Sequence, residues 1–84
     1  MQVFIKKKYF DAIKNGEKNC EIRHKPIDTP SKLTFLCGKY NLVKQVVSCN
    51  KLDETILAGL RQQSWWDEFC DEYIKKPSWI WRLR

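Results

Sequence analysis

Between residues 9 and 23 the spacing of apolar side chains changes once, abruptly, from a helical to an alternating period. Tyr9, Ala12 and Ile13 fall at i, i+3 and i+4, with Phe10 beside them, which is one face of a helix over residues 6–15. Asn15-Gly16 ends it, because glycine readily takes the left-handed conformation that closes a helix. From residue 18 to residue 24 the pattern is alternating, with Cys20 and Ile22 on one side and Asn19, Glu21 and Arg23 on the other. That is the mark of a half-buried strand. The chain must therefore pass from helix to strand within a few residues, delivering Gly16, Glu17 and Lys18 to the junction.

The remaining elements follow from similar signals. Residues 2–5 are a short strand of β-branched and aromatic type. Residues 25–31, with Pro26, Asp28-Thr29 and Pro30, are a loop, since prolines interrupt a ladder. Leu33, Phe35 and Cys37 alternate with their neighbours in a third strand that stops at Gly38. Residues 41–49 form a fourth, bent or bulged. Asp53 is an N-cap for a helix over residues 54–63, with Ile56, Leu57 and Leu60 inward. Ser64 is a second N-cap, with Asp67 in a capping-box position and Trp65, Trp66, Phe69, Cys70, Tyr73 and Ile74 as an apolar stripe. Pro77 breaks that helix, and residues 79–83 alternate as a last strand. The order is mixed, so the expected fold is α+β, with a curved or barrel-like sheet and helices at its ends.

Eighty-four residues bound the chain to one domain over residues 1–84 with a small core, in which four Trp, four Phe and three Tyr supply much of the volume. No apolar run approaches the roughly 20 residues of a membrane span. The first residues lack the charge order of a secretory signal, so a soluble, cytoplasmic protein with no membrane association is expected. The net charge of +6 is uneven: residues 1–52 carry eleven bases against four acids, and residues 53–84 five against six. A basic half suits a polyanion, or is simply a solvated surface. Cys20, Cys37, Cys49 and Cys70 make no C-x-x-C pair and replace apolar residues on element faces. Reduced core thiols are the expectation, ahead of disulfides or zinc; no metal or cofactor is expected.

Lys18, Glu21 and Arg23 carry the most specific chemistry. A cation and a carboxylate at the mouth of a sheet can hold a phosphate and a base edge, or polarise a carbonyl and move a proton. The plainer reading is a surface ion pair contributing ~0–1 kcal/mol.

Gly16, Lys18, Glu21 and Arg23 also fit the pattern G-x-K-x-x-E-x-R between a first helix and the next strand. In this the sequence resembles the ASCH family of the PUA-like superfamily. The likeness continues more loosely through Gly38, the Val-rich stretch at 43–47 and the Trp-rich strand at 78–83. The resemblance implies a mostly antiparallel PUA-like β-barrel with flanking helices and a cleft beside the motif, taking RNA or a modified nucleotide. Some relatives are amidohydrolases acting on acetylated cytidine, and others ribonucleases. In the amidohydrolase branch the motif lysine, here Lys18, works with a threonine three residues later and a downstream glutamate. Glu21 stands at that threonine position and offers no hydroxyl nucleophile; Glu54 matches the glutamate only loosely.

Around this motif, Lys6 and Lys8 of the Lys6-Lys7-Lys8 run are candidate phosphate contacts, or solvated surface. His24 is a candidate proton carrier, or a loop histidine with a satisfied ring. Phe4, Tyr40, Trp65 and Trp66 are stacking candidates, Trp65 and Trp66 ahead of the others, or core. The leading expectation is an RNA- or modified-nucleotide-binding module. The alternatives are a nucleoside amidohydrolase or ribonuclease using Lys18 and Glu21, and a protein-interaction or inhibitor module.

Overall fold

A computed structural model of the chain describes residues 1–26 and 31–84. In chain order the elements are β1 (Gln2–Phe4), α1 (Lys7–Lys14), β2 (Cys20–Arg23), β3 (Ser31–Cys37), β4 (Tyr40–Lys51), α2 (Glu54–Leu60), α3 (Glu68–Tyr73) and β5 (Trp79–Leu83). The fold is α+β, and one five-stranded sheet, ordered β1-β3-β4-β5-β2, curls into a half-barrel flanked by helices. Among the described residues only the β1–β3 pairing is parallel; the other three are antiparallel.

The curl has a cause in β4. Its first half pairs with β3 and its second with β5, and Val46 alone has partners on both sides, Ser31 and Leu83. The register shifts between Val46 and Ser48, so Val47 is an extra residue, and such bulges bend a strand and increase its twist. The expected bend in this strand is thus present, at Val47. The β3–β4 hairpin closes through Gly38 and Lys39. Gly38 has φ +58° and no other residue in the turn has positive φ, the pattern of a type II′ turn.

β1 and β2 are the two outer strands, and α1 joins them across the open side of the half-barrel. The helix turns one stripe, Phe10 and Ile13, into a core with Val3, Leu33, Phe35, Val46 and Trp81. Its adjacent stripe, Tyr9 and Ala12, packs with Cys20, Ile22, Leu60, Trp65, Cys70 and Ile80. β5 serves both clusters, because successive residues Ile80 and Trp81 point to opposite faces.

Three details differ from the sequence reading. β2 is covered on both faces, Glu21 included, so it is not a half-buried strand. The last helix starts at Glu68 with Asp67 as N-cap, its side chain accepting from the Cys70 N–H. Ser64 does not cap it, and Trp65 and Trp66 precede it. Asp67 prevails because its carboxylate also binds Lys8 and Tyr9 of α1, anchoring the helix start where Ser64 has no such partner among the described residues. Likewise α2 ends at Leu60, three residues early. Of the expected loop at 25–31, Asp28, Thr29 and Pro30 lie outside the described residues. No helix among the described residues is long and apolar enough to cross a membrane.

Candidate functional site

The junction that the sequence singles out is built by backbone bonds. Asn15 N–H donates to the Asp11 carbonyl and Gly16 N–H to that of Ile13, closing α1. Gly16 has φ +81°, a conformation costly for residues with a Cβ. The Lys18 N–H then donates back to the Ala12 carbonyl at 3.0 Å, which fixes where the Lys18 side chain begins. Gly16 itself is an exposed turn residue that positions Lys18 rather than lining a site.

Lys18 and Glu21 are both buried, at 4% and 7% exposure, so they are not the surface ion pair of the plainer reading. Lys18 Nζ donates to the Cys20 carbonyl at 2.7 Å and to Glu21 Oε1 at 3.3 Å. It also lies over the rings of Trp65, 4.8 Å from the centroid, and Tyr9, 5.8 Å away, within cation–π range. Glu21 Oε1 further accepts the Ile22 N–H at 3.1 Å, and Oε2 accepts Arg23 Nη2 at 2.9 Å. Both carboxylate oxygens are therefore engaged. Arg23 is less enclosed: one donor goes to Glu21, and its Nε is buried without a partner among the described residues.

These three charges stand at a cavity of about 340 Å³, near the lower end of the ~300–1,000 Å³ typical of ligand sites. Phe4 lines it from the end of β1, Ile5 and Lys6 from the segment joining β1 to α1, and Tyr9 from α1. Lys18, Glu21, Ile22 and Arg23 contribute from β2 and its approach. The opposite wall is Trp65 with Phe69, Cys70, Tyr73 and Ile74. The lining is mainly apolar and aromatic, with three cations against one carboxylate.

Of the candidates named from sequence, the fold brings Lys6, Lys18, Glu21 and Arg23 to this cavity. Lys8, His24 and Trp66 are not among its lining residues. Lys8 Nζ is paired with Asp67 at 2.8 Å. His24 Nε2 shares a hydrogen bond with the Tyr73 carbonyl at 2.8 Å, and its ring stacks on Tyr73, 3.9 Å between centroids. Trp66 Nε1 donates to Asp71. Among the stacking candidates, Phe4 and Trp65 reach the cavity, whereas Tyr40 stands exposed at the β3–β4 turn. Glu54 lines a separate surface depression beside Pro77.

The sequence reading gave no site role to Tyr9, Phe69, Cys70 or Tyr73. Their helical spacing marks them as core, and only an aromatic count above the needs of a small core signals a second use. Tyr9 Oη donates to Asp67, 2.7 Å away, and accepts a weak bond from Cys70 Sγ at 3.7 Å. Burial, aided by the bond to Asp67, raises the Tyr9 phenol far above its usual range. Burial raises the Asp67 carboxyl, but bonds from Lys8, Tyr9 and the Cys70 N–H outweigh it and hold the group well below the ordinary carboxylate range. Burial pushes the Cys70 thiol up, and likewise that of Cys20. All four cysteines are free thiols. No protein-family model matches the chain, and no curated protein is similar enough to it to count as a relative.

Proposed function

We propose that the chain is an RNA- or modified-nucleotide-binding module of the ASCH, PUA-like kind, with one base entering the cavity beside Lys18, Glu21 and Arg23. The observation that carries this reading is an aromatic cavity whose ionic lining is already ordered and carries excess positive charge. Aromatic walls suit the faces of a flat ring. Arg23, half-exposed and with only one of its donors committed to Glu21, suits an acceptor edge. A basic chain adds attraction for phosphate.

Binding is favoured over proton transfer by the bonding of Glu21. A general base needs a carboxylate oxygen within reach of the proton it takes. Here both oxygens are held by Lys18, Ile22 and Arg23, which suits an orienting charge better than a base.

Trp65, one of four tryptophans and the one in the cavity wall, makes the protein's emission sensitive to an occupant. Titration with single-stranded RNA, and separately with nucleotides, at two salt concentrations is expected to change that emission. Affinity is expected to fall with salt and to fall again in Arg23→Gln. An equal affinity in Arg23→Gln, or no binding by any nucleotide or RNA, would count against the reading.

A further inference from the structure

Phe4 is the anomaly on the surface. β1 alternates exposed, buried, exposed, with Val3 in the core, so the core gains nothing from a ring at position 4. Such a position ordinarily takes a polar residue. Yet Phe4 is 78% exposed, the most exposed of the large apolar residues among those described, and it stands at the mouth of the cavity.

Lys6 is the second observation. In the run of three lysines, Lys7 is paired with Asp11 and Lys8 with Asp67. Lys6 has no carboxylate partner among the described residues. Its ammonium is instead held 3.8 Å above the Phe69 ring, at the same mouth. Ring contact fixes a cation without neutralising it, so Lys6 presents a positioned, uncompensated charge.

Resting on the reading that a base enters the cavity, we propose that Phe4 and Lys6 form a second nucleotide subsite. Phe4 stacks on the base next to the one in the cavity, and Lys6 meets the phosphate that joins them. The ligand is then a single strand of at least two nucleotides rather than a mononucleotide. Phe4 and Lys6 are two residues apart in extended chain, a span of roughly 6.6 Å, short enough for both to serve one dinucleotide step. Charge supports a polyanion as the occupant: three of the four charged residues lining the cavity are cations.

The test compares the four ribonucleoside monophosphates with the matching homotrinucleotides, by titration against the full chain and the variants Phe4→Ala, Lys6→Gln and Tyr40→Ala. Tyr40 is the control, an exposed aromatic with a lysine, Lys39, over its ring, which stands at the β3–β4 turn and is not among the residues lining the cavity. The trinucleotide is expected to bind at least tenfold tighter than its monophosphate, and Phe4→Ala to reduce that advantage about tenfold. Lys6→Gln is expected to lower the slope of log affinity against log salt by about 0.7 for the trinucleotide. Tyr40→Ala is expected to change nothing.

Equal binding of mono- and trinucleotide would overturn the subsite while leaving the cavity reading intact. So would a loss in Tyr40→Ala as large as that in Phe4→Ala. Absence of binding by every nucleotide would overturn both.

Discussion

At the scale of single residues, the site is organised by a buried carboxylate with a cation on either side. Glu21 sits in register opposite Trp81, under protein on both faces, and its charge is tolerable only because three donors surround it. Removing one partner of such a group leaves an uncompensated interior charge, which typically costs about 3–5 kcal/mol. Lys18→Met is expected to lose stability on that order in urea unfolding, and Lys18→Met combined with Glu21→Gln to lose less than the single change. A Lys18→Met variant within 1 kcal/mol of the parent would mean that the pair is not buried as described. The identity of these residues was legible in the sequence, because the helix-to-strand junction and the G-x-K-x-x-E-x-R spacing mark them. Their burial was not. Alternation along β2 assigns Glu21 and Arg23 to an open face, and only remote elements, β5 and the segment from Trp65 to Ile74, determine what covers that strand.

At the scale of elements, α3 owes its position to Asp67 more than to its own six residues, too few to hold a helix in water alone. One carboxylate caps the helix, accepts the Tyr9 hydroxyl and pairs with Lys8, so it ties α3 to α1 and sets the far wall of the cavity. The folded carboxyl titrates below its unfolded value of about 3.9. Its contribution to stability is therefore complete above that value and is lost as the pH falls toward the depressed folded one. Asp67→Asn keeps a capping oxygen and removes the charge. The variant is expected to be less stable than the parent at pH 7, with the gap closing as unfolding is followed from pH 5 down to pH 2. A gap that does not change with pH would remove the charge from the account. Sequence placed most elements in the right order, since α1, β3, β4 and β5 have clear periods. It misplaced the start of α3, because Ser64 and Asp67 are both acceptable caps locally. The choice between them was made by Lys8 and Tyr9, nearly sixty residues earlier in the chain.

For the whole molecule, the half-barrel has one seam, where α1 bridges the outer strands and where the cavity lies. The pairings that build the sheet have very different histories. β3 and β4 meet through a two-residue turn, a contact that such hairpins make in about 1–10 μs. β2 pairs only with β5, Cys20 against Arg82, and must wait for the closure of a loop that takes in most of the chain. Pulse-labelled hydrogen exchange during refolding is expected to show protection of β3 and β4 amides before those of β2. Simultaneous protection of all strands would contradict that order. The curl at Val47 and the seam were only partly visible in sequence: a bulge was readable in the Val-rich strand, but strand order was not, since nothing local tells β2 to choose β5. The seam then has a kinetic consequence. A cavity completed only in the last step of folding is absent from the transition state that precedes it, so an occupant cannot hasten folding. It acts solely by delaying escape from the finished state, and its tightness is read in how slowly the protein unfolds.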